Sequence, residues 1–141
     1  MIRVHGTSVA LDGAGVLLRG PSGCGKSDLA LRLIDQGAQL VADDQTELDL
    51  EGDEIAMTAP ATIAGQIEVR GVGILRVPSV SSAPLRVVVD LVPMASVERM
   101  PEPRACAMLG RSVPLLALAP FEASVVAKLR LALRAAVPVA R

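Results

Sequence analysis

Residues 15–44 read GVLLRGPSGCGKSDLALRLIDQGAQLVADD, and the fold follows from them. A short apolar run, residues 15–19, enters a glycine-rich loop as a buried strand does. Residues 27–36 then carry Leu29, Ala30, Leu33 and Ile34 at the 3.6-residue period of a helix. Gly37 stands where a left-handed helix cap belongs. Residues 39–42 read as the next strand, closed by Asp43-Asp44. Strand, loop, helix and strand form one βαβ unit. If its two strands run parallel, a right-handed crossover brings Asp43 and Asp44 to the sheet edge that carries the loop.

Within that unit, Gly20-Pro21-Ser22-Gly23-Cys24-Gly25-Lys26-Ser27 matches G-x-x-x-x-G-K-[ST] at every defined position. The glycines let successive backbone N–H groups turn inward toward phosphate oxygens, and the following helix adds the positive end of its dipole. Lys26 is placed to reach β- and γ-phosphates, and the Ser27 hydroxyl to ligate Mg²⁺. Asp28 completes the loop segment, Gly20 through Asp28, expected to hold the nucleotide.

Outward from this unit the chain alternates strands and turns. Residues 4–11 predict a strand before the loop strand. Further strands are predicted over 46–50, 54–58, 67–70, 74–77, 85–92 and 113–119, with Gly, Pro and Ser between them. Residues 93–103 predict a proline-bracketed loop or short helix. Residues 121–136 predict a closing amphipathic helix with Lys128, Arg130 and Arg134 on its exposed face. The expected architecture is one strand-rich α/β domain over residues 1–141 with few helices.

Composition narrows the function classes. The chain has 141 residues, 51% hydrophobic, with a formal net charge of −1, which gives no whole-chain field of the kind nucleic-acid binders use. Phe121 is the only aromatic residue. Two cysteines, Cys24 and Cys106, make neither a disulfide framework nor a zinc site, and both read as reduced thiols. No apolar run approaches the ~20 residues of a membrane span, and residues 1–13 do not resemble a signal peptide. The expectation is a soluble, cytoplasmic protein.

The aspartates divide two readings. The apolar segment 85–90 ends in Asp90, so a generic nucleoside triphosphatase could hold Mg²⁺ with Asp90 and use Asp43-Asp44 as a polar turn. In a kinase, one aspartate of the pair is the general base for an incoming hydroxyl and the other supports metal or base. Residues 65–74 (GQIEVRGVGI) add Glu68 and Arg70 on one strand face, followed by two closely spaced glycines.

Taken in order, VHG, GPSGCGKS, LVADD and IEVRGVGI resemble the catalytic domain of the HPr kinase/phosphorylase family. The resemblance is clear over residues 2–92 and looser over 113–133. It implies a compact P-loop kinase domain of the HPr kinase and phosphoenolpyruvate-carboxykinase-like type. It also implies an ATP- and Mg²⁺-dependent serine kinase acting on HPr or an HPr-like phosphocarrier, with a phosphorylase back-reaction in many members. On this resemblance Asp43 is the catalytic carboxylate and His5 tunes it. Lys26 and Arg70 support transfer, while Ser27, Asp44 and Glu68 surround the metal. The match is to a short form that begins at the kinase domain, for which homo-oligomerisation stays open. Arg104 and Arg111 are both candidates for a later family arginine. A small-molecule kinase and a nucleotide-sensing module without transfer activity remain the alternatives.

Overall fold

The structure, a computed structural model, describes residues 1–136. The first departure from expectation comes at Gly6. The single strand predicted over 4–11 is two: β1 (Ile2–His5) and β2 (Thr7–Leu11). A Cβ at position 6 would come within 2.8 Å of Leu17 Cδ1 and 2.9 Å of the Leu18 carbonyl, so only glycine lets the chain turn here. β2 pairs antiparallel with β3 (Ala14–Arg19), the loop strand, and with β4 (Gln39–Ala42). β3 and β4 therefore run in the same direction, as expected, with β2 lying between them. The phosphate-type loop and Asp43-Asp44 leave the same sheet edge.

α1 (Lys26–Asp35) connects those two strands. It ends in a Schellman motif: Gly37 has φ 102°, its N–H donates to the Ile34 carbonyl, and the Ala38 N–H donates to the Leu33 carbonyl. Leu29, Ala30, Leu33 and Ile34 are buried beneath it, as the period predicted. Each fully buried leucine contributes about 1.5–3 kcal/mol relative to exposure.

The bend at Gly6 has a counterpart. After β4 the chain turns at Asp43-Asp44 into β5 (Gln45–Glu51), and β5 pairs antiparallel with β1, setting His5 opposite Gln45. Two adjacent strands thus bend side by side, and the Gly6 N–H donates to the Asp44 carbonyl across the corner. β6 (Glu54–Thr58) continues from β5. β7 (Gln66–Val69) and β8 (Gly73–Arg76) form a separate hairpin. β9 (Ala83–Leu91) lies parallel to β3 and meets β6 through Ala83 and Pro84.

β10 (Arg104–Met108) was not anticipated. It pairs with β11 (Arg111–Leu118), which lies parallel to β9. The closing helix, α2 (Val125–Ala136), starts four residues later than predicted. Two 3₁₀ turns, Ala61–Ile63 and Met94–Ser96, complete the described elements.

Strand alternation supplies two cores. Val16, Leu18, Val87 and Val89 face α1 and α2, packing with Leu29, Leu33 and Leu129. Leu17 and Val88 point the other way, onto Leu48, Ile55, Met57 and Val113. The strands buried on both faces are the near-continuous apolar runs of the sequence. No described helix is long and apolar enough to cross a membrane.

Candidate active site

The loop wraps its own lysine. Lys26 is buried, and its Nζ donates to the carbonyls of Gly20 at 2.7 Å and Pro21 at 3.1 Å. The ammonium thus sits inside the loop where phosphate oxygens are expected, and bound phosphate would replace these carbonyl partners. Gly25 caps α1 at φ 107°, and a Cβ there would come within 2.8 Å of Phe121 Cζ. Asp28 pairs with Arg32 one turn on, and Arg32 donates to the Pro120 carbonyl, which ties the 120–121 segment to the loop helix.

Beside the loop lies a cleft of about 570 Å³. It is lined by Ser22, Gly23, Gly25, Lys26, Ser27, Asp28, Asp43, Asp44, Glu68 and Arg70, so most of the sequence-predicted residues converge on it. Gly20, Pro21 and Cys24 belong to the loop but not to this cleft, and Pro21 and Cys24 line a second one described below. The hairpin places Glu68 and Arg70 there because Ile67 is buried against the α1 side of the core, so its neighbours turn outward.

The two aspartates differ sharply. Asp43 is 7% exposed and its carboxylate is fully engaged. Oδ1 accepts from Ser27 Oγ at 2.7 Å and Thr7 Oγ1 at 3.1 Å, and Oδ2 accepts from the Glu68 N–H at 3.0 Å. Thr7 Oγ1 also accepts from the Asp44 N–H at 3.1 Å. Asp44, at φ 66°, turns the other way. Its side chain is 66% exposed, and Oδ1 lies 2.8 Å from His5 Nε2, with His5 44% exposed. The expected arrangement, with Asp43 as the free carboxylate tuned by His5 and Asp44 toward the metal, is therefore reversed in the geometry: His5 touches Asp44, and the loop serine touches Asp43. Thr7 is the contributor that sequence reasoning missed; its only signal was the polar Thr7-Ser8 pair beside a glycine at the head of a strand that is otherwise apolar.

Asp90 does not join the cleft. Arg19 holds it with two hydrogen bonds, Nε to Oδ1 at 2.8 Å and an NH2 donor to Oδ2 at 3.2 Å, on the paired ends of β3 and β9. Arg104 and Arg111 do not line it either; Arg111 lies 3.8 Å from Asp53. On α2, Lys128 bonds Glu122 and Arg130 donates to the Gln36 carbonyl, so two of the three basic residues expected to face solvent serve internal contacts.

The donor set suits a hard cation. Ser27, Asp43, Asp44 and Glu68 present only oxygen, the ligand type Mg²⁺ requires. Among the described residues no three His, Cys, Asp or Glu side chains converge as a ready-made cage. Mg²⁺ is ordinarily held by one or two carboxylates together with substrate phosphates, which these residues fit.

Residues 1–99 match the family described as HPr Serine kinase C-terminal domain. Over 78 residues the chain is 45% identical to the HPr kinase/phosphorylase of Exiguobacterium sp., covering 55% of this chain and 25% of that protein. Over 95 residues it is 43% identical to the HPr kinase/phosphorylase of Alkaliphilus metalliredigens, covering 64% and 31% respectively. The chain thus spans about a quarter to a third of the length of these relatives. Among solved structures it is similar to the Hpr(Ser) kinase/phosphatase from Coxiella burnetii, with a TM-score of 0.84 at 28% identity, over 96% of this chain and 95% of that one.

Proposed function

Because this chain belongs to the HPr Serine kinase C-terminal domain family, we propose that residues 1–141 act as one catalytic domain, a cytoplasmic ATP- and Mg²⁺-dependent kinase that phosphorylates a serine of HPr or an HPr-like phosphocarrier. The observation that carries this reading is the exposed Asp44–His5 pair at the rim of the loop's cleft. A nucleotide sensor has no use for an accessible carboxylate beside the terminal phosphate. A kinase needs one to accept the hydroxyl proton.

The geometry supports a division of labour between the aspartates. Asp43, bonded to the loop serine, fills the role of the aspartate that pairs with the Mg²⁺-ligating Ser in phosphate-loop enzymes. When bound, Mg²⁺ neutralises charge on the β- and γ-phosphates, with Ser27 and Glu68 as its protein-side oxygens. Asp44 is the general base. In the forward step the serine O–H proton passes to Asp44, the serine oxygen bonds to the γ-phosphorus, and the bond from that phosphorus to the β–γ bridging oxygen breaks, releasing ADP. His5 orients the Asp44 carboxylate for this transfer. The loop amides and Lys26 hold the phosphates, and Arg70 faces the charge that spreads over the equatorial oxygens. Most of the rate enhancement then comes from positioning and fixed charge.

The test is incubation with Mg-ATP and a purified HPr-type carrier, followed by mass spectrometry. A gain of one phosphoryl group on a carrier serine is expected. Nucleotide binding without transfer to any such carrier would return the protein to the sensor reading.

A further inference from the structure

On the far side of the loop lies a second and larger cleft, about 970 Å³, at the upper end of the roughly 300–1,000 Å³ typical of small-molecule pockets. Pro21 and Cys24 of the loop form one wall, and Val92 and Met94 after β9 form another. Pro120 and Phe121 after β11 close it. Its one charged residue, Glu122, is tied to Lys128. The pocket is apolar, and no element of the proposed phosphoryl transfer uses it.

We propose that this cleft is the nucleobase subsite and that Phe121 is the surface on which the base stacks. The inference rests on the nucleotide reading of the loop and adds where the rest of that nucleotide lies. Three observations carry it. The cleft adjoins the phosphate cleft, since Gly23 and Phe121 line both. Phe121 sits directly against the loop, as the 2.8 Å approach to a Cβ at Gly25 measures, so a base on its ring adjoins phosphates in the loop. Finally, the sole aromatic side chain of the protein is 69% exposed here, although a Phe gains most from burial. Its position is not accidental slack: Arg32 lies over the ring at 5.9 Å from its centroid and bonds the preceding carbonyl.

The chemistry of the walls also sets the specificity. Stacking is tolerant of base identity because every base has a π-face, whereas discrimination needs polar groups aimed at base edges. The walls are proline, methionine, valine and phenylalanine, with the one carboxylate already paired. Purine nucleotides should therefore bind with similar affinity.

Calorimetric titration of the full chain with ATP, GTP and inorganic tripolyphosphate, each with Mg²⁺, tests this. ATP and GTP are expected within about fivefold of each other, and tripolyphosphate about tenfold or more weaker, the range base–aromatic stacking supplies. Phe121→Ala should weaken both nucleotides about tenfold and leave tripolyphosphate unchanged. Phe121→Trp, which adds the only indole, should keep ATP affinity and show an emission change with ATP but none with tripolyphosphate. Equal wild-type affinities for ATP and tripolyphosphate, or unaltered ATP binding in Phe121→Ala, overturn the subsite while leaving the loop reading intact. Failure of both ligands to bind removes the loop reading and the subsite together.

Discussion

Replacing each of the two adjacent aspartates with asparagine should give opposite phenotypes. At Asp44 the change is structurally mild. The residue has φ 66°, a conformation Asn tolerates about as well as Asp, so no backbone strain is added. Its contact with His5 is at the surface, where such pairs contribute about 0–1 kcal/mol. The amide cannot take a proton, so transfer to the carrier should fall about 10²–10⁴-fold. ATP affinity should stay within a few-fold. At Asp43 the same change strikes a closed network. The two bonds at Oδ1 lose their charge assistance, and the new NH₂ meets the Glu68 N–H donor-to-donor if Oδ1 is kept toward Ser27. Offset by cheaper burial of a neutral group, the net loss is about 2 kcal/mol. For a domain of this size that lowers Tm by about 4–8 °C. Mg-ATP affinity should fall as well, because Ser27 loses its orienting partner. Far-UV circular dichroism melts, calorimetric ATP titration and phosphate incorporation into the carrier separate the three quantities. An Asp44→Asn protein that still transfers within tenfold of wild type refutes the base assignment. So does an Asp43→Asn protein that melts normally, binds Mg-ATP normally and has lost only transfer.

Three further outcomes follow from the same geometry. Gly25→Ala combines a φ of 107° with a Cβ pressed against Phe121, so it should abolish measurable ATP binding in calorimetry while the far-UV spectrum is retained. Arg70→Ala removes an exposed side chain with no hydrogen-bond partner among the described residues; Tm should move by less than about 2 °C while kcat for carrier phosphorylation drops at least about tenfold. Leu33→Ala opens a cavity between α1 and the sheet, and should cost about 2–5 kcal/mol in urea unfolding with the slope m unchanged.

The local elements were legible because their causes are local. The period of Leu29, Ala30, Leu33 and Ile34 and the Gly37 cap bound α1 to within one residue, and β4 falls on the predicted residues. β10 was missed because Arg104–Met108 carries an arginine, two alanines and a cysteine, so it lacks the β-branched residues that mark a strand; its partner β11 supplies the pairing. The break at Gly6 was invisible for a different reason. Its cause is the approach of Leu17 and Leu18 across the β2–β3 hairpin, a cross-strand contact that no local pattern at residues 4–11 displays. The same holds for the site. Loop, aspartates, His5, Glu68 and Arg70 could be named from motifs, but which aspartate does what depends on hydrogen bonds from Thr7 and from the β7 backbone.

That assignment is fixed at the corner after β4. In an extended strand, consecutive side chains point to opposite faces, and Asp43 and Asp44 would separate in a plain alternation. Here the strand ends, and the left-handed φ of Asp44 re-aims the chain into β5 at the corner where β1 becomes β2. The corner is held from both sides: the Gly6 N–H takes the Asp44 carbonyl, and Thr7 Oγ1 takes the Asp44 N–H while donating to Asp43. One carboxylate is thereby locked inward onto the loop serine and its neighbour is delivered outward to His5. A catalytic group must be accessible and able to exchange a proton, whereas a group that fixes a metal-binding hydroxyl must not wander. Adjacent residues on opposite sides of one bend meet both demands of the proposed transfer site with no additional element.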